Sequence, residues 1–383
     1  MTTSTTTGEH HPHASVAPWL GVLFVMLFSL NTLGGWVRVS GSGIAIPQWP
    51  LINGSLLPPM DDAGWQGVYD DWRRHQAVLR ERVAEGTLAP GNLGRTPADL
   101  REFSSMFLTE YSHRLLAALA GVAMAGCLTI VLRHRDLRRR IGAPMMAAGA
   151  LVLVQAAVGG FLIDQGTNTH WLFLHQGNAG LIMACVLWSL LRLIDGGSHI
   201  RPAGRRRLHA CTAIAVAATW FQLLLGALVA GSKHSAAVIK EFPTMLGGSY
   251  FPPLWEDGRT VSWNLLDNAW LHQWIHRWFA WVLVLSLIAT YIVAARSTIG
   301  PRLRLALQVS ATFIAIQVIL GIANVLVGGT PIALVLPLAH QFMGMCLFTS
   351  LVLALYDVRH ERPQPSAVMD DVRIRERVSE QRA

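Results

Sequence analysis

The sequence predicts an all-α polytopic membrane protein, a bundle of eight transmembrane helices made of two duplicated four-helix halves. Three observations support this fold class. First, 52% of the 383 residues are hydrophobic and only 14% are charged, whereas a soluble domain carries roughly 25% charged residues. Second, eight apolar stretches are each long enough to cross a bilayer. Third, motifs of the first half of the chain recur in the second half.

The eight predicted spans follow from the length that a membrane requires. An α-helix needs about 20 apolar residues to cross the hydrocarbon core. The stretches that meet this requirement are 19–38, 111–132, 142–163, 172–194, 208–230, 274–295, 305–327 and 336–356. The polar first 17 residues lack the basic start and the small-residue cleavage site of a signal peptide. Residues 1–18 are predicted to be a disordered tail.

The arginines predict the orientation of the spans. The formal net charge is +8, but the arginines lie in short runs between apolar stretches, a pattern that argues against binding to nucleic acid. The short connections after spans two, four and six are arginine-rich, and such connections stay in the cytoplasm. Both termini are therefore predicted to be cytoplasmic, with loops 39–110 and 231–273 facing outward. Loop 39–110 contains six arginines, but long translocated segments largely escape the charge rule.

The two halves are predicted to be copies of each other. His113-Arg114 recurs as His276-Arg277, 163 residues later, and His175-Gln176 recurs as His340-Gln341, 165 residues later. Each separation covers an even number of spans, so both halves have the same orientation. The predicted units are a cytoplasmic tail at 1–18, an N-terminal half at 19–195, a cytoplasmic linker at 196–207, a C-terminal half at 208–357 and a cytoplasmic tail at 358–383.

An amide and a glycine, four residues apart, mark every odd-numbered span. The pairs are Asn31 with Gly35, Gln155 with Gly159, Gln222 with Gly226, and Gln317 with Gly321. Residues at this spacing share one face of a helix, and glycine lets a neighbouring helix or a flat ligand approach the backbone. Helix packing alone explains one such pair. Its recurrence in four spans favours a face that also lines a pocket.

Four histidines at the outward ends of alternate spans predict two heme sites. Ionisable residues inside a membrane are costly and usually functional. Neutral imidazole is an axial ligand of heme iron, and a heme between two helices needs one from each helix. The pairs are His113 with His175 and His276 with His340. Zinc or copper is the competing interpretation, but those sites usually recruit cysteine or carboxylate, and neither accompanies the C-terminal pair.

Other histidines receive no ligand role. His75 and His170 are predicted to be loop residues without a visible partner. His272 is expected to be solvated at the membrane interface, although a heme propionate is an alternative partner.

The paired histidine sites differ in one carboxylate. Thr96-Pro97-Ala98-Asp99 predicts a helix start with Thr96 as its cap, so Glu110 is expected to be helical and on the face of His113. The matching position before His276 is Gln273. This asymmetry suggests that one site does chemistry while the other holds a fixed cofactor. Simple solvation of Glu110 at the membrane interface is the alternative.

Two groups of motifs resemble the heme A synthase family. One is Val37-Arg38-Val39-Ser40-Gly41-Ser42-Gly43, followed by Trp49-Pro50 and Pro58-Pro59. The other is Leu100-Arg101-Glu102-Phe103, followed by Glu110-Tyr111-Ser112-His113-Arg114. With the four histidines, the resemblance covers residues 19–356. The first outward loop has no cysteine pair, so the chain resembles the cysteine-free, proteobacterial or mitochondrial-like branch.

The resemblance implies an oxidoreductase of the cell inner membrane. Such an enzyme oxidises the C8 methyl group of heme O to the formyl group of heme A by two successive hydroxylations, through heme I, and supplies heme A to a terminal oxidase. The resemblance implies catalytic roles for Glu110, His113 and His175, the two histidines lying on the iron of the substrate heme. It implies that His276 and His340 ligate the iron of a heme B cofactor. Arg114 and Arg277 are implied to bind the cofactor.

The resemblance also implies partners. They are heme O and membrane lipid, with heme O synthase, cytochrome oxidase assembly proteins and a second copy of this chain as further candidates. No nucleic-acid partner is expected.

A different class of function stays open on the residues alone. A bis-histidine diheme membrane cytochrome that moves electrons from quinol, or a heme-delivery protein, would need the same four histidines. The difference between Glu110 and Gln273 favours the enzyme over these alternatives, because a protein that only transfers electrons does not need a carboxylate at one of its two sites. Heme O synthase is disfavoured because Asp61-Asp62 and Asp70-Asp71 lie in an outward loop, the wrong context for its magnesium motif.

Overall fold

The computed structural model describes residues 12–48, 55–88, 93–164, 169–195, 206–232, 241–327 and 334–360. The helices in these ranges are α1 (Pro12–Val39), α2 (Asp62–Ala84), α3 (Leu100–Arg133), α4 (Arg135–Asp164), α5 (Thr169–Ile194), α6 (Arg206–Gly231), α7 (Val261–Leu266), α8 (Ala269–Ala295), α9 (Pro301–Leu326) and α10 (Val335–His360). Eight of them, all except α2 and α7, are long and apolar enough to cross a membrane. The predicted all-α fold with eight spans is confirmed.

Most of the helices extend beyond the predicted spans. α1 begins at Pro12 and α3 begins at Leu100, so residues 12–18 of the predicted tail are helical. Hydropathy detects only the part of a helix that lies in the hydrocarbon, whereas backbone hydrogen bonds continue into the polar turns on either side. The linker residues 196–205, the first 11 residues and the tail beyond residue 360 lie outside the described ranges.

The predicted loop 39–110 contains a helix, α2, that hydropathy does not detect. Asp61 caps its first turn by accepting a hydrogen bond from the backbone N–H of Gly64 at 2.7 Å. Four buried residues at helical spacing form one face of α2: Val68, Trp72, Gln76 and Leu79. The rest of α2 is polar, so this helix lacks the apolar length that identifies a span.

The start of α3 corrects the predicted helix cap. Asp99, not Thr96, is the cap, because its carboxylate accepts a hydrogen bond from the N–H of Glu102 at 2.7 Å. Glu102 in turn accepts one from the N–H of Ala98 at 2.5 Å. This reciprocal arrangement needs a long carboxylate three residues after the cap. Glu102 supplies that length for Asp99, whereas Asp99 is too short to do the same for Thr96.

The helices of the two halves pack in the same pattern. α1 packs on α3 and α5, as α6 packs on α8 and α10, and α4 packs on α5, as α9 packs on α10. Between the halves, α1 contacts α10 and α5 contacts α6. The centre of the bundle is therefore built from α1, α5, α6 and α10.

The two ends of the bundle differ in character. We call the end that carries α2, α7 and the long connections the loop face, and the opposite end the arginine face. On the arginine face, Nη1 of Arg302 lies 2.7 Å from Oδ1 of Asp195, and its Nε donates to Asp357 at 2.9 Å. Arg302 is the second residue of α9, whereas Asp195 follows α5 and Asp357 lies in α10. These ion pairs join three helix ends on the arginine face.

Reporter fusions test the orientation of the bundle. We expect fusions after Arg140, Arg207 and Arg302 to report the cytoplasm, because short arginine-rich connections are retained there. Fusions within 60–95 and 245–260 are expected to report the opposite side. The measurement is the activity of a reporter that works on one side of the membrane only. An outward signal at any of the three arginine positions would contradict the orientation.

Candidate functional site

The four span-starting histidines all lie towards the loop face. His113 is in α3, His175 in α5, His276 in α8 and His340 in α10. The structure brings His276 and His340 together: their ring centroids are 6.3 Å apart and their ring planes are inclined by 75°. His113 and His175 occupy the equivalent helices of the first half.

Each of these histidines lies against a glycine of an odd-numbered span. The closeness is measured from a Cβ atom added to each glycine to the nearest atom of the histidine ring. In the first half it is 3.2 Å from Gly34 to His113 and 3.6 Å from Gly159 to His175. In the second half it is 3.4 Å from Gly226 to His276 and 3.1 Å from Gly321 to His340. In three spans the glycine of the predicted amide–glycine pair is therefore the one that lies against the histidine, whereas its role in lining a pocket stays a prediction. In α1 the glycine is Gly34 rather than the predicted Gly35, which faces Gln341 instead. α1 lies where the halves meet, so the side of α1 that carries Gly35 faces α10.

The amides of three odd-numbered spans also contact the histidines. Nε2 of Gln222 donates to the carbonyl of His276 at 2.9 Å and lies 3.1 Å from its Nδ1. Nε2 of Gln317 lies 3.2 Å from Nε2 of His340. Nε2 of Gln155 donates to the carbonyl of His175 at 3.2 Å. Hydrogen bonds of this kind hold a ring, or the backbone that carries it, in one orientation.

The C-terminal pair has the spacing of two histidines that could hold one metal ion between them. Two metal–nitrogen bonds of about 2 Å, one on either side of a shared ion, separate two imidazole centroids by about 6 Å. Among the described residues, Nδ1 of His340 and Nδ1 of His175 are buried without a hydrogen-bond partner, a costly state that a ligand or its surroundings can relieve. Within those residues, no group of three or more His, Cys, Asp or Glu could hold a metal ion. Histidines in pairs fit heme iron, whose other four ligands come from the porphyrin.

Glu110 is buried in a network of hydrogen bonds, so solvation at the interface is excluded. It is 4% exposed. Its Oε2 accepts from the N–H of Ile46 at 2.9 Å, and its Oε1 pairs with Nη2 of Arg114 at 2.5 Å. Arg114 also donates to the carbonyls of Gln48 and Ile46, both at 2.5 Å. Glu110 and Arg114 together therefore hold the segment after α1 against α3, three residues before His113. Trp49 and Pro50, which continue that segment, lie outside the described residues.

Arg277 takes the place of Arg114 in the second half but lacks the carboxylate. Its Nη1 donates to the carbonyl of Glu241 at 3.0 Å, so it too holds a loop segment. Its Nε and Nη2 are buried and have no partner in the part of the chain that the structure describes. Arg277 also lines a cavity of about 200 Å³ with Phe242, Pro243, Met245, Tyr250, Trp278 and Trp281. The two free donors of Arg277 fit an anionic group, whereas Arg114 is already paired with Glu110.

Asn31 departs from the other amides because it joins the two halves. Its Nδ2 donates to Oε1 of Gln176 at 3.2 Å, and Nε2 of Gln341 donates to its Oδ1 at 2.9 Å. Gln176 and Gln341 directly follow His175 and His340. Asn31 therefore links the histidine-bearing helices α5 and α10. The repeated His-Gln dipeptide is the sequence signal for this link.

Three other histidines differ from their predictions. The sequence predicts His75 and His170 in loops, but they lie in α2 and α5, because hydropathy detects neither the polar α2 nor the first turn of α5. His272 is 1% exposed. Its Nδ1 lies 2.8 Å from the hydroxyl of Ser232 and its Nε2 lies 3.0 Å from the carbonyl of Leu265, so the expected interfacial solvation is wrong. His170 has a neighbour in Asp267, at 3.9 Å. His272 and His170 both contact residues at the ends of other helices, and these contacts depend on how the helices pack.

Comparison with known proteins identifies the family. Residues 17–352 match the COX15-CtaA family, described as cytochrome oxidase assembly protein. The chain is 31% identical to the heme A synthase of Paracoccus denitrificans (strain Pd 1222) over 96% of this chain and 93% of the relative. It is 32% identical to the heme A synthase of Rhodopseudomonas palustris (strain HaA2) over 88% of this chain and 89% of the relative. The chain therefore belongs to the COX15-CtaA family of cytochrome oxidase assembly proteins, the heme A synthase family that its motifs resemble.

Proposed function

We propose that this protein is a heme A synthase, a membrane enzyme that oxidises the C8 methyl group of heme O to the formyl group of heme A. Two successive hydroxylations, through heme I, turn the methyl carbon into a hydrated aldehyde, which loses water to give the formyl group. The observation that carries the proposal is the asymmetry of two otherwise matching histidine sites, of which one has a buried carboxylate three residues before its first histidine. The names of the relatives support the same activity.

The first half is the proposed substrate site. His113 and His175 would lie on either side of the heme O iron and hold the ring in place, each ring backed by a glycine. Glu110 would act beside the reacting edge of the heme. A buried carboxylate can accept a proton or stabilise developing positive charge in a site that excludes water. Its ion pair with Arg114 keeps that carboxylate in one position.

The second half is the proposed site of a resident heme B. His276 and His340 would hold the iron, and the free donors of Arg277 would hold a heme carboxylate, since guanidinium pairs well with carboxylate. Arg114 has the same place in the first half, but its guanidinium is bonded to Glu110 and to the loop carbonyls, so it would support the substrate site mainly by holding these groups. When bound, heme B supplies one-electron transfer between a donor and the substrate site. Neutral Gln273, in place of Glu110, fits a site that carries out no proton chemistry.

We place the protein in the cell inner membrane with both termini in the cytoplasm, an orientation supported by its arginine-rich short connections. Heme O and lipid are its proposed partners. Heme A, the product, would pass to a terminal oxidase.

Identification of the hemes in the purified protein tests the proposed function. We expect extraction, chromatography and mass measurement to give heme B together with heme O, heme I or heme A. The control is His113→Ala, which is expected to retain heme B and lose the substrate-derived heme. Heme B alone in the wild type, at two equivalents per chain, would favour the diheme cytochrome instead.

A further inference from the structure

Helix α2 carries three buried polar atoms on its inner side. They are Nε1 of Trp72, Nε2 of His75 and Nε2 of Gln76, and none has a hydrogen-bond partner among the residues that the structure describes. We call these three side chains the α2 underside. Trp72 is 2% exposed and Gln76 is 1% exposed. Burial lowers the pKa of His75, against the opposing effect of Asp164, so its imidazole is neutral at neutral pH and its Nε2 can carry a proton to donate.

The α2 underside lies at the loop end of the first half. The ring of Trp72 is 5.7 Å from that of Phe103 in α3, and it shares an apolar cluster with Ile46, whose N–H bonds Glu110. Asp164, which acts electrostatically on His75, ends α4 five residues after Gly159. Gly159 is the glycine beneath His175. Helix α2 therefore extends from α3 towards the end of α4, on the side of the bundle that carries His113 and His175.

His175 lies close to the loop end of its helix. His175 lies six residues after the start of α5, which places it about 9 Å below the loop face at 1.5 Å per residue. A heme bound at its iron between His113 and His175, with its carboxylate edge towards the loop face, would direct that edge towards the end of the bundle that carries α2.

Unsatisfied buried donors are uncommon, and they cost stability unless a ligand satisfies them. The second half provides the comparison. Its loop helix α7 buries Asn264 completely, but that amide donates to the carbonyl of Glu256 at 3.1 Å and accepts from the N–H of Glu256 at 2.9 Å. The buried amide of α7 is therefore paired with the loop that precedes this helix, whereas three buried donors of α2 have no partner in the described part of the chain.

We propose that the α2 underside binds the carboxylate groups of the substrate heme. This inference rests on the proposed function, and it gives the first long loop a role in substrate recognition. Trp72, His75 and Gln76 act as hydrogen-bond donors to carboxylate oxygens, bonds that are stronger than those between neutral groups. The ligand class is a dicarboxylate porphyrin, distinguished from its neutral ester.

Binding of heme O and of its dimethyl ester to the purified full-length protein tests the proposal. Absorbance titrations give a dissociation constant for each, and His113→Ala identifies the part of the signal that comes from the first half. We expect wild type to bind heme O about tenfold more tightly than the ester, from one or two charge-assisted hydrogen bonds. His75→Leu and Gln76→Leu are expected to abolish that preference without weakening ester binding. His75→Gln, which keeps a donor, should retain it, as should Val78→Ala on the exposed side of α2.

Gln76→Glu provides a second variant in case the leucine variants do not fold. A carboxylate at this position repels the heme carboxylates, so we expect heme O to bind more weakly than the ester. Retention of the wild-type preference in the folded Leu or Glu variants would overturn the proposal. If wild type binds both ligands equally in a His113-dependent manner, this inference fails and the proposed function stands. If wild type binds neither, the proposed function itself fails.

Discussion

Replacing Glu110 with glutamine is expected to stall the conversion of heme O and to lower heme A by about a hundredfold or more, the usual contribution of a positioned acid–base group. Glutamine keeps the length of the side chain and an oxygen that can accept from the N–H of Ile46. It removes the negative charge, and with it the partner of Arg114. We therefore expect the substrate to bind while heme O or its singly hydroxylated product accumulates. The measurement is heme extraction from cells that express the variant, followed by chromatography.

The second half offers a matched control for this experiment. Gln273 occupies the position of Glu110 in the repeat and is 6% exposed. We expect Gln273→Leu to leave the heme A level within about twofold of wild type, because the effect of most substitutions away from a reacting group is small.

Three outcomes of Glu110→Gln lead to different conclusions. Accumulated intermediates would assign Glu110 to the chemistry. Loss of bound heme O without intermediates would make it only an anchor for the segment after α1. Heme A at the wild-type level would remove Glu110 from the mechanism and favour the electron-transfer alternative.

Replacing His276 or His340 with alanine is expected to remove one low-spin heme per chain. Each substitution deletes an imidazole of the pair whose rings lie 6.3 Å apart, so an iron held by both histidines would lose one of its two protein ligands. We expect the chain to remain inserted and folded, because the backbone of each span satisfies its own hydrogen bonds in the membrane without a cofactor. The heme content per chain and the low-spin absorbance spectrum of the purified variants measure the effect.

His209→Ala is the control for loss of a histidine as such. His209 lies near the start of α6 at the arginine face, far along the helix from the glycine beneath His276. We expect this variant to retain both hemes. Retention of the low-spin heme in both His276→Ala and His340→Ala would contradict the assignment of the C-terminal pair.

Much of the fold can be predicted from local properties of the sequence. A run of about 20 apolar residues has one stable arrangement in a bilayer, so the eight spans follow without any knowledge of tertiary contacts. The repeat of His113-Arg114 as His276-Arg277 and the amide–glycine spacing are also local patterns. The amide–glycine pattern singles out glycines of α4, α6 and α9, and the structure places each of them against a histidine of α5, α8 or α10.

The predictions that the structure corrects concern residues whose contacts depend on the position of another helix or on the length of a neighbouring side chain. Asp99 rather than Thr96 caps α3 because Glu102 is long enough to complete the hydrogen-bonded pair. Gly34 rather than Gly35 meets His113 because α1 faces both its own half and α10. His272 is buried because Ser232, at the end of another helix, meets its ring.

The sequence by itself determined the membrane class, the number of spans, the duplication and the four histidines, because hydropathy and residue spacing are properties of neighbouring residues. Only the tertiary structure decided how these parts meet. It paired Glu110 with Arg114 and with the backbone of Ile46 and joined the halves through Asn31. It left Nε and Nη2 of Arg277 without a partner among the described residues. It also packed α2 against α3 with unsatisfied donors on its inner side. Contacts between residues far apart in the chain depend on packing of the whole bundle, and burial turns each unpaired polar atom into a sign of a missing partner.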